Sequence, residues 1–296
     1  MKKLWYLVVS MRPRQWTKNL VLFAGVVFSM HLFDLSLLER SFYGFLIFCL
    51  MSGAVYIIND VSDRARDAEH PAKKKRPIAA GLLSPAEALP FAVILIAVLL
   101  AFSWVLGREF FAVCAAFTAL NFAYSFFLRG VVILDVFSIS FNFLLRAVGG
   151  VAVLKASVPD IEISPWLLIC TLFLSLFLAF CKRRNEIVFL EEAQAHRSAL
   201  KDYSVLLLDQ LVGLSATTAL VSYSIYTVWP STVEKFGTSN LVYTIPFVVF
   251  GIMRYLYIVY RRNEGGDPSG ILLTEKSILA TVFLWAVTVI WILWRF

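Results

Sequence analysis

The chain has 296 residues, of which 60% are hydrophobic and 16% are charged, with a mean hydropathy of +0.78 and a formal net charge of +7. This composition is too apolar for a soluble domain of this length, so it excludes a water-soluble enzyme and predicts a polytopic membrane protein. Nucleic acid is disfavoured as a partner, because no basic segment combines with exposed aromatic residues on a soluble module.

The N-terminal segment 1–19 is predicted to be an interfacial helix with tryptophan anchors. On an α-helix, Arg14 and Lys18 would share a face, where they could receive a phosphate group at the headgroup level. Attraction to anionic lipid is the alternative, and it is about equally good for Arg12.

Nine apolar segments are each near the length that a helix needs to cross the hydrocarbon core. Backbone polar groups in lipid must be hydrogen-bonded internally, so helices are expected. The predicted fold class is therefore all-α, with a single transmembrane domain over residues 1–296. The predicted spans are approximately 20–36, 41–58, 87–106, 110–128, 132–154, 164–181, 205–229, 241–260 and 274–294.

Lysine and arginine residues are divided unevenly between the two sets of connecting segments. The N-terminus with segments 59–86, 129–131, 182–204 and 261–276 carries 20 of them, and the other set carries five. By the positive-inside rule, the first set faces the cytoplasm. We therefore expect a multi-pass protein of the inner or plasma membrane, with its N-terminus and two catalytic loops, 59–86 and 182–204, in the cytoplasm.

The second predicted span ends in a run of carboxylates, from Asn59 to Asp67. If the helix continues through this run, Asp60, Asp63 and Asp67 lie within about 60° of one another on one face. Such a group suits Mg²⁺, which takes oxygen ligands and is usually completed by substrate phosphates. The alternative is a solvated acidic face whose charges are offset by nearby arginines and lysines.

Four consecutive cations, residues 73–76, follow the carboxylates. A metal face followed by a basic run is an arrangement for binding a polyphosphate, such as a leaving diphosphate. Lys73 and Arg76 are predicted to contact the diphosphate oxygens that the metal leaves free. Topology anchoring by the positive-inside effect is the alternative, and it is at least as good for Lys74 and Lys75.

Arg146 and Arg254 lie inside predicted spans, where a charge is costly unless it faces the bundle interior or reaches the interface. Asp135 precedes Arg146 by eleven residues, so the two share a helix face but lie about 16 Å apart along the axis. They are expected to have different partners.

The acidic motif resembles the first signature of the UbiA-type intramembrane prenyltransferases, Asn-Asp-x-x-Asp-x-x-x-Asp. This resemblance implies a central cavity that opens to the cytoplasm, bound Mg²⁺, and a catalytic role for the three aspartates. It also implies substrate-binding roles for Asn59, Asp135 and Arg146. The matching residues are Asn59, Asp60, Asp63, Asp67, Arg76-Pro77, Gly81, Asp135 and Arg146 to Gly150.

One departure from that family lies after the sixth predicted span, where a second aspartate motif is replaced by a basic run. Lys182 and Glu186 are four residues apart and could share a face. A carboxylate cluster together with a basic cluster suits a donor with a diphosphate at one end and a phosphate elsewhere, such as phosphoribosyl pyrophosphate. Lys182, Arg183 and Glu186 are predicted to orient its ribose phosphate and hydroxyls, with positive-inside anchoring as the alternative.

Segments 12–19, 70–73 and 266–276 also resemble the members that transfer 5-phosphoribose from phosphoribosyl pyrophosphate to a polyprenyl, decaprenyl-like phosphate, releasing diphosphate. In those members Arg14, Lys18 and Asn19 are implied to hold phosphate groups. The alternatives are transfer of a polyprenyl chain from its diphosphate to an aromatic or polar acceptor, and a non-catalytic lipid carrier. The oligomeric state is left open, a homo-oligomer included.

Overall fold

The computed structural model describes residues 2–69, 71, 73–189, 200, 202–262 and 265–295. Within these ranges every regular element is a helix, which confirms the all-α prediction. Also within them, eight helices are long and apolar enough to cross a membrane. These are Leu35–Ser62, Pro85–Leu106, Arg108–Phe126, Leu134–Lys155, Pro165–Val188, Val205–Val228, Asn240–Arg262 and Lys276–Arg295.

The first predicted span, 20–36, is not a long helix, so this count is one lower than expected. Helix α1 (Lys2–Ser10) is followed by a 3-10 helix, Pro13–Phe23, and then by the short α2, Ala24–Phe28. Met30 then takes a left-handed backbone conformation with φ 67°. The chain therefore leaves the helix at this point, and no single long α-helix covers the predicted span.

The sixth predicted span is longer than expected, because its helix continues past residue 181 to Phe189. Lys182, Arg183 and Glu186 therefore lie on the last turns of a helix rather than in a loop. The rest of the predicted loop 182–204 includes residues 190–199 and 201, which lie outside the described residues.

The chain forms two compact units, of which the first comprises Met1–Phe127 and Leu145–Glu162. The Asp34 carboxylate caps its longest helix by accepting from the Leu37 amide at 3.3 Å. Phe48 packs edge-on against neighbouring phenylalanine rings in its core. Besides α1 and α2, its helices are α3 (Leu35–Ser62), α4 (Arg64–Glu69), the 3-10 turn Lys73–Lys75, α5 (Pro85–Leu106), α6 (Arg108–Phe126) and the second half of α7 (Leu134–Lys155).

Two glycines in the first unit bring helix backbones into direct contact. A Cβ atom at Gly25 of α2 would lie 2.2 Å from the carbonyl oxygen of Gly150 on α7. A Cβ atom at Gly150 would lie 2.0 Å from the carbonyl oxygen of Leu22. Small residues allow this close approach of membrane helices, so the segment before α3 is fixed against α7.

The second unit comprises Leu128–Leu144 and Ile163–Phe296. Its buried core includes Phe177, Leu208, Val212 and Tyr255. Its helices are the 3-10 turn Leu128–Gly130, the first half of α7, α8 (Pro165–Phe189), α9 (Val205–Val228), α10 (Pro230–Phe236), the 3-10 helix Asn240–Thr244, α11 (Ile245–Tyr257) with the π-helix Ile258–Arg262, α12 (Pro268–Thr274) and α13 (Lys276–Arg295).

Candidate active site

The carboxylates of the acidic motif lie where α3 ends and α4 begins. Asp60 is in the last turn of α3 and is 2% exposed, and Asp67 on α4 is 3% exposed. Asp63 ends α3 with φ −95° and ψ 6°, so the expected continuous helix is broken there. The Asp63 carboxylate pairs with Arg66 at 2.8 Å.

Arg76 joins the two buried carboxylates. Its Nη1 atom donates to Asp60 Oδ1 at 3.0 Å and to Asp67 Oδ2 at 2.5 Å. Arg12 also donates to Asp60 Oδ1, and Lys73 Nζ lies 3.9 Å from Asp67 Oδ1. We call these five residues the first cluster; its three cations neutralise two buried negative charges.

Arg12 reaches the first cluster through an unusual backbone conformation, with φ 53° and ψ 64°. Non-glycine residues rarely adopt this left-handed region, and such strain occurs often at functional sites. The Arg12 guanidinium lies 4.7 Å from the centre of the Tyr56 ring. The preceding residue, Met11, packs closely against Gly53 of α3. A Cβ atom added at Gly53 would lie only 2.8 Å from the Met11 side chain. Gly53, Tyr56 and Asp60 thus form one face of α3 that receives the N-terminal segment.

Asn59 is oriented by helix α6, because the Ser125 hydroxyl donates to its Oδ1 at 2.5 Å. Ser125 itself is 5% exposed. The side-chain oxygen of Asn59 is therefore engaged within the first unit, next to Asp60 in the chain.

A second buried cation in the first unit is Arg146, which is 6% exposed. Its Nε donates to Asn19 Oδ1 at 2.6 Å, and its Nη2 donates to Ser52 Oγ at 3.4 Å. Its guanidinium also lies 4.8 Å from the centre of the Phe117 ring. Arg146 thus links the N-terminal segment to α7 through a hydrogen bond rather than through a carboxylate.

Arg14 and Lys18 lie on the 3-10 helix, where Arg14 is exposed and Lys18 is half-buried. A 3-10 helix has three residues per turn, so residues four apart point about 120° away from each other. The prediction that they share a face, made for an α-helix, is therefore wrong.

A buried network in the second unit surrounds Asp135, which is fully buried. Arg183, 1% exposed, donates from Nε to Asp135 Oδ2 at 2.6 Å and from Nη1 to Glu186 Oε2 at 2.5 Å. The Tyr203 hydroxyl donates to Asp135 Oδ1 at 2.9 Å and accepts from the Ile133 amide at 2.7 Å. We call Asp135, Arg183, Glu186 and Tyr203 the second cluster.

The second cluster holds strained backbone in place. Ile133 has φ 69°, which is a genuine outlier for a β-branched residue. Its amide is satisfied by Tyr203. Burial, followed by the charge of Asp135, raises the pKa of Tyr203 above its ordinary value of 10.0, so the hydroxyl stays protonated at neutral pH.

The donors of the first cluster fit a divalent cation in their chemistry. Asp60 and Asp67 present hard oxygen ligands that already meet at one cationic nitrogen of Arg76. Among the described residues, however, no three histidine, cysteine, aspartate or glutamate side chains form a group that could hold a metal ion. Two protein carboxylates, completed by water and phosphate oxygens, are a usual set of ligands for Mg²⁺.

Residues 20–274 match the model of the UbiA prenyltransferase family. The chain belongs to this family. It is 32% identical to decaprenyl-phosphate phosphoribosyltransferase of Mycolicibacterium smegmatis, over 96% of this chain and 91% of that protein. It is 30% identical to the protein of the same name from Corynebacterium glutamicum, over 96% of this chain and 85% of that protein.

The fold of this UbiA family member is also similar to a solved structure, a UbiA homolog from Archaeoglobus fulgidus bound to GPP and Mg²⁺. The TM-score is 0.73, and the structural alignment covers 96% of this chain and 99% of that one, at 17% sequence identity. The chain is therefore a multi-pass membrane protein and a transferase of the UbiA family.

The structure brings together some of the predicted site residues of this UbiA protein and separates others. Within the first unit, Asp60, Asp67, Lys73 and Arg76 meet, and Asn19 meets Arg146. Within the second unit, Asp135, Arg183 and Glu186 meet, so Asp135 and Arg146 have different partners, as expected. Lys182 is half-buried on α8, next to Arg183.

Ser125 and Tyr203 were not among the predicted site residues, and Arg12 was predicted to contact phosphate or anionic lipid rather than Asp60. Arg12 precedes Pro13, and a residue before proline is disfavoured in the α-helical conformation, which signals a bend at the end of α1. Ser125 and Tyr203 carry no local signal, because each acts on a residue more than 60 positions away in the chain.

Proposed function

We propose that this protein transfers 5-phosphoribose from phosphoribosyl pyrophosphate to a polyprenyl phosphate and releases diphosphate. The observation that carries the proposal is the first cluster, in which two buried carboxylates share cations that can also bind phosphate. The named relatives support the choice of donor and acceptor, since they align with nearly the whole chain.

Asp60 and Asp67 are the proposed ligands of Mg²⁺, with Asp63 as a third. The metal would supply neutralisation of the charge that develops on the departing diphosphate. Arg12, Lys73 and Arg76 are the proposed contacts of its oxygens, because their side chains remain 27%, 38% and 28% exposed while the carboxylates are buried. Arginine binds phosphate through two parallel hydrogen bonds, which also fixes orientation.

The acceptor is its own nucleophile. A phosphate monoester has a second pKa near 6, so it is mostly dianionic at neutral pH and needs no general base. One of its oxygens forms the bond to the anomeric carbon of ribose while the bond from that carbon to diphosphate breaks. The protein's contribution is alignment of these atoms and stabilisation of the leaving charge.

For the acceptor phosphate we propose Arg14, Lys18 and Asn19. Arg14 is the exposed one, whereas Asn19 is buried and bonded to Arg146, so Asn19 orders the segment that carries the two cations. Asn59, held by Ser125, is proposed to assist Asp60. Its amide nitrogen is the group left to contact a phosphate oxygen.

For the second cluster we propose a division of roles. Arg183 is held by two carboxylates and is 1% exposed, so it orders Asp135 and Glu186. Lys182 and Glu186 are the proposed contacts for the phosphate and hydroxyls of a phosphorylated substrate, since Glu186 retains 18% exposure.

We further propose that the first cluster faces the cytoplasm, because the connecting segments on its side carry 20 of the 27 lysines and arginines. Single cysteines placed at Ser84 and at Glu234, in a chain whose own four cysteines are replaced, would test this in intact cells. An impermeant thiol reagent is expected to label only the second position, and the reverse result would overturn the orientation.

The decisive experiment is mass spectrometry of the lipid product made by the purified protein with Mg²⁺. One reaction contains phosphoribosyl pyrophosphate with a panel of polyprenyl phosphates, and another contains a polyprenyl diphosphate with an aromatic acceptor. A phosphoribosylated lipid in the first reaction is the expected result. Prenyl transfer in the second reaction, with no product in the first, would establish the alternative function.

A further inference from the structure

A third charged group lies between the last two spans and shares no residue with either cluster. It consists of Arg254 on α11, Arg262 at the end of the π-helix, Tyr257 between them, and Glu275 just before α13. Arg262 ends one apolar span and Lys276 begins the next, so this connection lies at the membrane surface. A π-helical turn within a helix often marks a functional site.

Two arginines in this group share one carboxylate. Arg254 Nη2 donates to Glu275 Oε1 at 2.6 Å, and Arg262 Nη1 donates to Glu275 Oε2 at 2.8 Å. The hydrogen bond from Arg254, with the nearby charge of Arg262, lowers the pKa of Glu275, so this carboxylate is ionised at neutral pH. The three side chains together keep one positive charge.

The two guanidinium groups also retain unused donors. Arg254 Nε is buried and has no hydrogen-bond partner in the described part of the chain. Leaving a buried charged donor unsatisfied is costly, and more so for an arginine within a span. The Arg262 side chain is 41% exposed, so its other nitrogen atoms are accessible from outside.

Aromatic and apolar surface adjoins these donors. The guanidinium carbons of Arg254 and Arg262 lie 5.1 Å and 5.8 Å from the centre of the Tyr257 ring. Tyr257, Met253 and Phe250 recur at helical spacing and are 47%, 62% and 50% exposed. An exposed apolar stripe therefore runs along α11 to the two arginines.

We propose that Arg254 and Arg262 form a binding site for the phosphate of a membrane lipid, with the acyl or prenyl chain along the stripe. Guanidinium groups suit phosphate because they donate two parallel hydrogen bonds. The location favours a lipid, since Arg262 ends an apolar span, where headgroups are expected, and the exposed apolar stripe continues along the same span. This site is independent of the proposed reaction and uses none of its residues.

Native mass spectrometry of the full chain in neutral detergent tests the site by counting retained lipids. The probes are phosphatidylglycerol, phosphatidylcholine and undecaprenyl phosphate, with inorganic phosphate as a competitor. Wild type is expected to retain an anionic probe over phosphatidylcholine. Whichever anionic lipid is retained more identifies the source of the phosphate, whereas equal retention of phosphatidylcholine would overturn the proposal.

Matched variants assign the binding to these side chains. Arg254→Gln and Arg262→Gln are each expected to lower anionic-lipid retention about five- to tenfold, the effect of losing a charge-assisted hydrogen bond. Arg295→Gln is the control, because Arg295 also stacks on an aromatic ring at a span end, at 4.7 Å from Trp291. Equal retention by Arg262→Gln and wild type, at an unchanged melting temperature, contradicts the assignment.

Glu275→Gln separates a ligand site from a purely structural ion pair. If the arginines bind phosphate, removal of the competing carboxylate charge raises anionic-lipid retention, by about threefold. If the group only holds the helices together, the variant melts earlier and retains no more lipid than wild type. This variant also decides the question if Arg254→Gln fails to fold.

Discussion

The first and second clusters contain similar groups but expose them differently. In the first, the carboxylates of Asp60 and Asp67 are buried, while the cations that neutralise them reach solvent. In the second, Asp135 and Arg183 are both buried, at 0% and 1% side-chain exposure. Cations with solvent access can leave a carboxylate and be replaced by a metal ion, whereas a fully buried ion pair cannot separate without a large desolvation cost. The difference predicts that a metal ion can replace cations at the first cluster and that the ion pair of the second cluster stays intact.

The largest effect is expected from a substitution that breaks the buried ion pair of Asp135 and Arg183. Arg183→Met leaves Asp135 as an uncompensated buried charge and is expected to lower the free energy of unfolding by about 3–5 kcal/mol. Thermal unfolding in detergent would measure this loss. Asp135→Asn combined with Arg183→Met should recover most of it, because the charge is then removed as well.

Arg184→Met is the matched control for that change, since Arg184 is the next residue and pairs with the partly exposed Asp209. Its effect is expected to stay below about 1 kcal/mol. Equal losses for the two variants would show that burial does not distinguish the pairs.

Removal of a carboxylate from the first cluster should affect activity rather than folding. Asp60→Asn and Asp67→Asn are each expected to lower product formation about 100- to 1,000-fold, since they weaken the stabilisation of the leaving diphosphate. Lipid product formation and the melting temperature are measured together. Asp34→Asn removes an equal charge at a helix cap where asparagine serves as well, so it should leave activity unchanged. Full activity in both cluster variants would exclude a role for these carboxylates.

Arg12 offers a finer test of exchange. Arg12→Gln removes a cation that competes with metal for Asp60, so the affinity for Mg²⁺ alone should rise about three- to tenfold, while the affinity for Mg²⁺ with diphosphate should fall by a similar factor. Both affinities can be read from the melting temperature as a function of ligand concentration. Arg12→Lys retains the charge, so both of its affinities should lie between those of wild type and those of Arg12→Gln. Parallel changes in both affinities would mean that Arg12 acts only on folding.

Tyr203→Phe has a smaller expected effect than Arg183→Met and also probes the second cluster. It leaves the Ile133 amide and one Asp135 oxygen without their partner, at a cost of about 1–3 kcal/mol. Because the pKa of Tyr203 is raised in the folded state, wild type should also lose stability as the pH rises above the ordinary value of 10.0, where the unfolded chain releases this proton first. The variant should lack that contribution, and identical pH profiles for the two proteins would exclude it.

Hydropathy predicted most of the helices, because lipid leaves the backbone few alternatives. It predicted one regular helix over residues 20–36, because an apolar run does not reveal the 3-10 helix or the turn at Met30, and it ended the sixth helix too early because α8 continues through the polar residues after Cys181. The motif predicted a group of Asp60, Asp63 and Asp67, of which Asp60 and Asp67 both contact Arg76, but nothing local predicts that the helix ends at Asp63. The contacts of Arg12 with Asp60 and of Arg183 with Asp135 each join residues 48 positions apart, so only the folded chain reveals them.

The glycine contact between α2 and α7 has a consequence for biosynthesis. The N-terminal segment is fixed by Gly150 and, one turn earlier on α7, by Arg146, whose partner Asn19 is 127 residues away. A chain that inserts from its N-terminus has therefore placed half of its length before this contact can form. Until then, the residues from Pro13 to Phe28 lack one of the two helices against which they pack, because, of the two, only α3 has been made. Replacement of Gly150 by alanine should therefore appear first as degradation of newly made protein in the cell.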